Sequence, residues 1–299
     1  MTYDCIIIGG GIAGLQASIL LGRYKRKVLV IDSNNGRSNR CREYNNILGF
    51  EKGVSGMFLR EAGRKQAEVY GISFLEEKVT HVHKDKKEFI VHTQFGGSFA
   101  GRTLLLATGI KDNIPPFPGL EPCLGLSVYI CPDCDGYEVK DKKTIVMGSG
   151  DKGANMALAL LYWSSDITYI NNNGQRISGK IKKKLKKAAI PVEKKRIRQI
   201  IQEEGIFHGV LLTDGGLIEG EKAFAAFGGN TVHSELAKTL GAKTFKNNHL
   251  KTDPHTKMTS VNNLWAAGDI TAHSELVTVA MGEGAQAAIH IHKSLFQLK

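Results

Sequence analysis

The chain has 299 residues, 42% of them hydrophobic, which is enough for two globular domains with sizeable cores. Its 40 basic and 29 acidic residues give a net charge of +11. There is no apolar run of bilayer length, no basic signal-type segment at the start, and one close pair among the five cysteines. These features exclude a disulfide scaffold and predict a cytoplasmic protein with no membrane association.

The chain begins with a strand, a glycine-rich turn and a helix. Apolar patterning predicts strands over Asp4–Ile8 and Lys27–Ile31, with a helix over Ile12–Leu21 between them. The spacing of the glycines allows a tight turn, close approach of a pyrophosphate and helix–strand contact. Asp32 follows the second strand, where a carboxylate can accept a hydrogen bond from a ribose. The residues predicted to bind this first dinucleotide are Gly9, Gly11, Ile12, Ala13, Gly14, Asp32 and Ser33.

The same pattern recurs 139 residues later, with strands over Thr144–Met147 and Asp166–Ile170 and a helix over Ala154–Trp163. The position of Asp32 is taken by Asn171, so the charge that would select NAD is missing, as is an arginine pair for NADP. We predict a second dinucleotide site that discriminates weakly; the alternative is a vestigial repeat that binds nothing. Its predicted residues are Gly148, Gly150, Gly153, Asn171 and Arg176.

Two such units predict an α/β protein with two Rossmann-like, three-layer dinucleotide-binding domains. A strand over Thr103–Ala107 ends in Thr108 and Gly109, and the proline-rich residues 112–118 form the clearest linker. Further strands are predicted over Ala223–Phe227 and Leu264–Ala267, the second ending in Gly268 and Asp269, and a last helix over residues 275–298.

Cys131-Pro132-Asp133-Cys134 lies between the two glycine motifs. A lone Cys-x-x-Cys of this kind predicts a redox dithiol, and Asp135 is placed to exchange a proton with a thiolate. The alternative is zinc binding, which would require two further ligands, and Cys123 is the one other cysteine nearby in the sequence.

Lysines and arginines are concentrated between Lys180 and Arg198. Ile181, Leu185 and Ala188 recur at helical spacing, so this block is predicted to be the solvated face of a helix. Docking of an acidic protein and attraction of nucleotide phosphates are the alternatives. Nucleic acid is not expected as a partner, because no aromatic residues alternate with the lysines.

The order of these motifs resembles that of the low-molecular-weight thioredoxin reductases over essentially the whole chain. The resemblance implies FAD at the first motif, NADPH or NADH as electron donor, and a second domain inserted into the first. On this basis residues 1–113 and 226–299 form the FAD domain and residues 114–225 the NAD(P) domain. Further FAD contacts are expected at Arg37, Thr108, Gly109, Gly268, Asp269 and Val277.

By the same resemblance Cys134 lies next to the flavin, Cys131 attacks an external disulfide and Asp135 donates a proton. A homodimer, a swivel of the domains, and a thioredoxin-like protein or small disulfide as partner are also implied. Some residues depart from the family's pattern: Glu275-Leu276-Val277 replaces Arg-Gln-Ala, and Arg37-Ser38-Asn39-Arg40 replaces a Gly-Gln-Leu stretch.

Tyr137-Glu138 after the cysteine pair, the Asn173-Gly174 ending and the Gly-Arg-x-x-Arg stretch that ends at Arg40 look more like the gliotoxin- and holomycin-type dithiol oxidases. Those enzymes oxidise small dithiols with oxygen and commonly carry histidine where this chain has Asp135. Two alternatives therefore stand beside a disulfide reductase. One is an FAD-dependent dithiol oxidase, and the other is a non-enzymatic nucleotide-binding regulator that holds an acidic partner.

Overall fold

The computed structural model describes residues 2–298, which form two compact units. Unit 1 contains the described residues up to Asn39, Ser55–Lys111 and those from Thr231 onward. Unit 2 contains Arg40–Val54 and Asp112–Asn230, so it is inserted into unit 1. The segment Arg40–Val54, expected from sequence to lie in the first domain, packs with unit 2 instead.

The helices and strands follow in chain order. The first elements are β1 (Thr2–Ile8), α1 (Ile12–Arg23), β2 (Val28–Ile31), α2 (Gly56–Val69), β3 (Ser73–Leu75), β4 (Val79–Asp85), β5 (Glu88–Thr93), β6 (Ser98–Leu106) and β7 (Ile110–Lys111). Unit 2 adds β8 (Val128–Tyr129), α3 (Pro132–Asp135), β9 (Thr144–Gly148), α4 (Gly150–Leu160), β10 (Ile167–Asn171), α5 (Gly179–Lys187), β11 (Val192–Glu193), β12 (Ile197–Glu203), β13 (Ile206–Leu212), β14 (Leu217–Glu219) and β15 (Lys222–Ala226). The chain then forms β16 (Thr231–Val232), α6 (Glu235–Thr239), β17 (Leu264–Ala266) and α7 (Val277–Gln297).

Unit 1 is built on a seven-stranded sheet in the order β3-β2-β1-β6-β5-β4, with β17 also paired to β6. The pairs from β3 to β6 and from β6 to β17 are parallel, and the β4–β5 and β5–β6 pairs are antiparallel. Cys5 and Ile7 pack in one apolar cluster with α1 and α7, whereas Ile6 and Ile8 pack in a second cluster on the opposite face. Because successive side chains enter clusters on opposite faces, the run Cys5–Ile8 of β1 is apolar at every position.

Unit 2 repeats this plan with a five-stranded parallel sheet in the order β11-β10-β9-β15-β8. Val146 faces a cluster that contains residues of α4 and α5, and Ile145 and Met147 face a cluster that contains residues of β12 and β13. The strands β12, β13 and β14 form their own antiparallel sheet. Each unit thus buries both faces of its parallel strands, which confirms the predicted α/β fold.

Two details of the predicted elements were wrong. The second glycine turn leads directly into α4 at Gly150, four residues earlier than Ala154. The basic block is not one helix, because α5 ends at Lys187 and the chain continues into β11 and β12. Within α5 the expected amphipathic pattern is present, since Leu185 is buried and the lysines around it are exposed. Across residues 2–298, none of the helices combines the length and the apolar character needed to cross a bilayer.

Candidate functional site

The first glycine turn joins β1 to α1 and has one open side. A side chain at Gly9, whose φ is +106°, would overlap the carbonyl oxygen of Ala107, and one at Gly14 would overlap the carbonyl oxygen of Gly9. In contrast, a Cβ at Gly11 would meet no atom within 4 Å. Gly9 and Gly14 are therefore required by the protein's own packing, whereas Gly11 borders free space at the start of α1. This arrangement fits the close approach of a dinucleotide pyrophosphate.

Asp32 follows β2, as predicted, but it is engaged by an arginine that sequence reasoning missed. Arg60, from α2, places its Nη2 2.6 Å from Asp32 Oδ2 and its Nη1 2.9 Å from the carbonyl oxygen of Gly10. It also donates to Asn34 Oδ1 at 3.1 Å. One arginine therefore fixes both the glycine turn and the acidic residue, which positions the carboxylate beside the turn. No local sequence pattern signals this contact, because 28 residues separate the partners.

Arg37 and Asp269, both predicted to contact FAD, form an ion pair in unit 1. Arg37 Nη1 lies 3.0 Å from Asp269 Oδ2 and 2.7 Å from Glu275 Oε2. Burial raises the pKa of Asp269, and the charge of Arg37 opposes that rise. The arginine therefore holds together the segment after β17 and the segment before α7.

A second set of charged residues, centred on Glu283, also holds the segment after β17. Glu283 on α7 accepts from the backbone N–H of Gly268 at 2.9 Å and from the hydroxyl of Thr271 at 2.9 Å. Lys257 Nζ and His273 Nε2 lie 3.0 Å and 2.9 Å from its carboxylate oxygens. Burial alone would raise the pKa of Glu283, but the bonds from His273 and Lys257 lower it to about 2. Glu283 therefore remains a carboxylate that anchors the Gly268 turn, and no sequence motif indicates this role.

The remaining residues predicted to contact FAD also lie in unit 1. Thr108 donates its hydroxyl hydrogen to the carbonyl oxygen of His233 at 2.7 Å, and the carbonyl oxygen of Gly109 accepts from the N–H of His233 at 3.1 Å. Ala13 is buried, and a Cβ at Gly268 would come 2.9 Å from its methyl group. The others are Ile12 and Val277, which begin α1 and α7, and exposed Ser33.

The second glycine turn differs from the first at its central glycine. Gly148 and Gly153 are packed tightly, since a Cβ at Gly153 would lie 2.5 Å from the ring of Tyr169. The side chain of Asn171 is buried rather than presented to a ribose, because its Oδ1 accepts the N–H of Gly150 at 2.9 Å. Arg176 is exposed, and its carbonyl oxygen lies near Gly150. Unlike Gly11, Gly150 has atoms of the following loop within 4 Å of an added Cβ.

Cys131 and Cys134 form a disulfide at the start of α3, with 5.3 Å between their Cα atoms. Cys131 is the N-cap residue, and its Sγ accepts the N–H of Cys134 at 3.2 Å. Both residues are half-buried. An N–H aimed at sulfur stabilises a thiolate, so this position favours an ionised Cys131 once the disulfide is opened.

The segment Arg40–Val54 borders the dithiol within unit 2. Asn46 Nδ2 donates to the carbonyl oxygen of Cys134 at 3.3 Å, and Asn45 Nδ2 to Glu138 Oε1 at 3.3 Å. Burial raises the pKa of the Cys41 thiol to about 11, and the charge of Asp135 adds to the rise. Cys41 is therefore a protonated thiol in the neighbourhood of the redox pair, which sequence spacing does not reveal.

The other cysteines lack the features of redox or metal sites. Cys5 and Cys123 are free and buried, and burial raises the pKa of both thiols, that of Cys5 to about 12. Within the described part of the chain, no group of three or more His, Cys, Asp or Glu side chains is arranged to hold a metal ion.

The chain is similar to known proteins over most of its length. Residues 3–284 match the family model described as pyridine nucleotide-disulphide oxidoreductase. A thioredoxin reductase from Treponema pallidum (strain Nichols) is 29% identical over 296 residues, which cover 96% of this chain and 95% of that protein.

Two solved structures have the same fold over 99% of this chain. The crystal structure of HlmI has a TM-score of 0.88 at 27% identity and is covered over 93% of its length. The structure of a thioredoxin reductase TrxB from Bacillus anthracis, described in its name as putative, has a TM-score of 0.86 at 27% identity and is covered over 99%. The chain therefore belongs to the pyridine nucleotide-disulphide oxidoreductase family, as a thioredoxin-reductase-like, FAD-dependent enzyme.

Proposed function

We propose that the protein uses the Cys131–Cys134 pair to reduce the disulfide of a thioredoxin-like protein or a small molecule. The observation that carries this proposal is the disulfide at the start of α3, with the N–H of Cys134 directed at Cys131 Sγ. Thioredoxin reductases in this family are FAD-dependent and use NADPH. The chemistry that FAD supplies when bound is acceptance of a hydride and delivery of two electrons to a disulfide.

The residues that would hold FAD are those of unit 1. The open side of Gly11 admits the pyrophosphate, and Asp32, fixed by Arg60, accepts from a ribose hydroxyl. The segment from Gly268 to Asp269 borders the cofactor and is held by Arg37 and Glu283. These assignments rest on the geometry of the first glycine turn together with the resemblance to the family.

The exchange with substrate is then carried out by the two cysteines. Two electrons open the Cys131–Cys134 disulfide and leave a thiolate on Cys131, stabilised by the N–H of Cys134. This thiolate attacks one sulfur of the external disulfide and forms a mixed disulfide, while the other substrate sulfur leaves and takes a proton from Asp135. Cys134 then attacks Cys131 Sγ, which restores the internal disulfide and releases the second substrate thiol.

The proposal can be tested without any pyridine nucleotide. The FAD-loaded protein is reduced anaerobically with dithionite to two electrons and mixed with oxidised thioredoxin, and the new thiols are counted. We expect about two thiols per flavin from the natural protein and from Cys123→Ala, in which a buried free cysteine is changed. Cys131→Ser should release no substrate thiol, and Cys134→Ser should stop at a mixed disulfide with Cys131 and release at most one. Release of two substrate thiols per flavin by either serine variant would contradict the proposal.

The resemblance to the thioredoxin reductases also leads to proposals for the oligomeric state and the cellular location. We propose a homodimer that acts in the cytoplasm, and sedimentation equilibrium of the FAD-loaded protein tests the first part. The comparisons give no support to oxygen-driven dithiol oxidation or to a non-enzymatic regulator. Neither alternative is favoured by a contact in the described residues.

A further inference from the structure

The two glycine turns differ in what lies against the central glycine. Gly11 borders space that is empty within 4 Å of an added Cβ. At the equivalent Gly150, an added Cβ would lie 3.2 Å from Gln175 Cβ, 3.3 Å from Gln175 Oε1 and 3.3 Å from the carbonyl oxygen of Arg176. At the second turn, atoms of the chain therefore lie against the central glycine, whose φ of +52° also differs from the −75° of Gly11.

Hydrogen bonds hold these residues against the second glycine turn. They involve the Gly150 N–H, a backbone group that can bind a phosphate in a turn of this kind. The N–H of Gly150 donates to Asn171 Oδ1 at 2.9 Å, and Asn171 Nδ2 donates to the carbonyl oxygen of Gln175 at 2.8 Å. Farther along, Asp151 at the start of α4 accepts the N–H of Ser178 at 2.7 Å. Both ends of the segment from Asn171 to Ser178 are thus tied to the first turn of α4.

Asn171 is the central member of this arrangement. It is 2% exposed, and the hydroxyl of Tyr169 also donates to its Oδ1 at 3.2 Å. Its amide satisfies the Gly150 N–H and the Gln175 carbonyl together. A ligand that approaches Gly150 as a dinucleotide does must displace that amide oxygen and move Gln175 aside.

We propose that Asn171 and Gln175 form an internal cover over the second glycine turn, and that they determine how tightly a pyridine nucleotide binds there. This inference rests on the proposed function, in which that nucleotide is the electron donor. The nucleotide binds when the cover opens, so its apparent affinity is lowered by the fraction of molecules that are open. The cover opposes the pyrophosphate, which NADPH and NADH share, so it lowers both affinities equally.

The test measures binding directly by titration calorimetry of NADP⁺ and NAD⁺ into the whole, FAD-loaded protein. Asn171→Ala removes the side-chain hydrogen bonds to the Gly150 N–H and to the Gln175 carbonyl oxygen. Gln175→Gly removes the side chain that lies against Gly150. Asn172→Ala is the matched control, because Asn172 is also buried and accepts the N–H of Ile197 at 2.6 Å but makes no hydrogen bond to Gly150. Thermal unfolding establishes that each variant is folded.

We expect Asn171→Ala to bind both nucleotides roughly tenfold more tightly than the natural protein. Gln175→Gly should gain roughly threefold, and Asn172→Ala should stay within about twofold. Gln175 is exposed, so its variant keeps the test valid if Asn171→Ala fails to fold.

The cover is refuted if neither variant binds either nucleotide more tightly than the natural protein. A gain restricted to NADP⁺ would also overturn it, because the 2′-phosphate would then be the group affected. Thiol transfer by dithionite-reduced protein is measured in parallel. Loss of that transfer would count against the proposed function and leave the binding result interpretable.

Discussion

Arg37 and Glu275 form an ion pair, with 2.7 Å between Arg37 Nη1 and Glu275 Oε2. Each lies in a stretch that departs from the pattern of the thioredoxin reductases, one in place of a Gly-Gln-Leu stretch and the other in place of Arg-Gln-Ala. In the fold these two departures meet. An arginine in the segment after β2 thus faces a glutamate just before α7.

This pair should contribute measurably to stability. Arg37 and Glu275 are 23% and 29% exposed, so solvent screens them only partly. Arg37→Gln and Glu275→Gln together form a double-mutant cycle, in which we expect a coupling free energy of about 1–2 kcal/mol from urea unfolding. Arg64→Gln, from an exposed pair with Glu68, is the control and should change stability by less than about 0.5 kcal/mol. Additive single effects would show that the contact contributes nothing.

Gly11→Ala should separate folding from FAD binding. A Cβ at Gly11 meets no protein atom within 4 Å, so the variant without cofactor should fold and melt like the natural protein. The same methyl would obstruct the pyrophosphate, and we expect FAD affinity to fall by roughly tenfold or more. Gly179→Ala also adds a methyl in open space, but in unit 2, and should keep full affinity. Fluorescence titration with FAD measures both, and unchanged affinity in Gly11→Ala would disprove the assignment of the first turn.

His273 should make stability depend on pH on the alkaline side. Burial alone would lower its pKa, but Glu283 and the carbonyl oxygens of Ser274 and Gly268 raise it above 6.5. Its contribution to stability is therefore complete below about pH 6.5 and is lost as the pH rises through the raised value. Urea unfolding at several pH values should show a difference between the natural protein and His273→Gln that shrinks with rising pH. A difference that is constant across this range would contradict the charged pair.

Glu283 should make stability depend on pH on the acid side. Its pKa falls from 4.5 to about 2, so its contribution is complete above pH 4.5 and is lost as the pH falls toward 2. Glu283→Gln keeps the shape of the side chain but removes the charge that binds His273 and Lys257. We expect this variant to be less stable at neutral pH and to approach the natural protein in acid. Acid titration followed by circular dichroism measures the two curves, and parallel curves would argue against the role of the charge.

Gly136→Ala should destabilise unit 2 next to the dithiol. A Cβ at Gly136 would lie 2.6 Å from Trp163 Cη2, which is too close without displacement of the indole. We expect a loss of about 1–3 kcal/mol in the free energy of unfolding, as for other overpacked sites. Trp163→Phe should restore part of that stability in the double variant, because the smaller ring leaves room for the methyl group. Urea denaturation of all three variants tests the contact, and the absence of rescue would point to a backbone effect instead.

The repeated pattern of strand, glycine turn and helix made the fold predictable. Gly9 and Gly148 mark the ends of β1 and β9, and the continuous apolar runs before them predicted strands of a three-layer fold. The predicted secondary structure was wrong where pairing with neighbouring elements, rather than the local pattern, determines it. The lysine-rich block from Lys180 onward was expected to be one helix, but the chain after Lys187 pairs its backbone in β11 and β12.

The site was only partly predictable, for a physical reason. The glycines and the Cys-x-x-Cys act through local backbone geometry, which short motifs encode. Arg60, Glu283 and Gln175 act through long-range or loop contacts whose partners no spacing rule identifies. Asn171 shows most clearly how far a sequence pattern can predict the site. Its position at the end of β10 was correctly inferred, yet the direction of its amide depends on how the following turn folds back on α4.

The larger segment of unit 2, Asp112–Asn230, begins and ends beside a two-stranded antiparallel ribbon of unit 1. Lys111 in β7 and Thr231 in β16 are direct partners in an antiparallel pair, so the chain leaves unit 1 and re-enters it at adjacent residues. Beyond that ribbon, Asn230 Nδ2 donates to Asp112 Oδ1 at 3.1 Å. The two crossing strands resemble the stem of a β-hairpin whose loop has been expanded into a whole domain. Because these two ends are paired, the segment between them can differ in length without a change of register in the main sheet of unit 1, whereas Arg40–Val54 of unit 2 is connected separately.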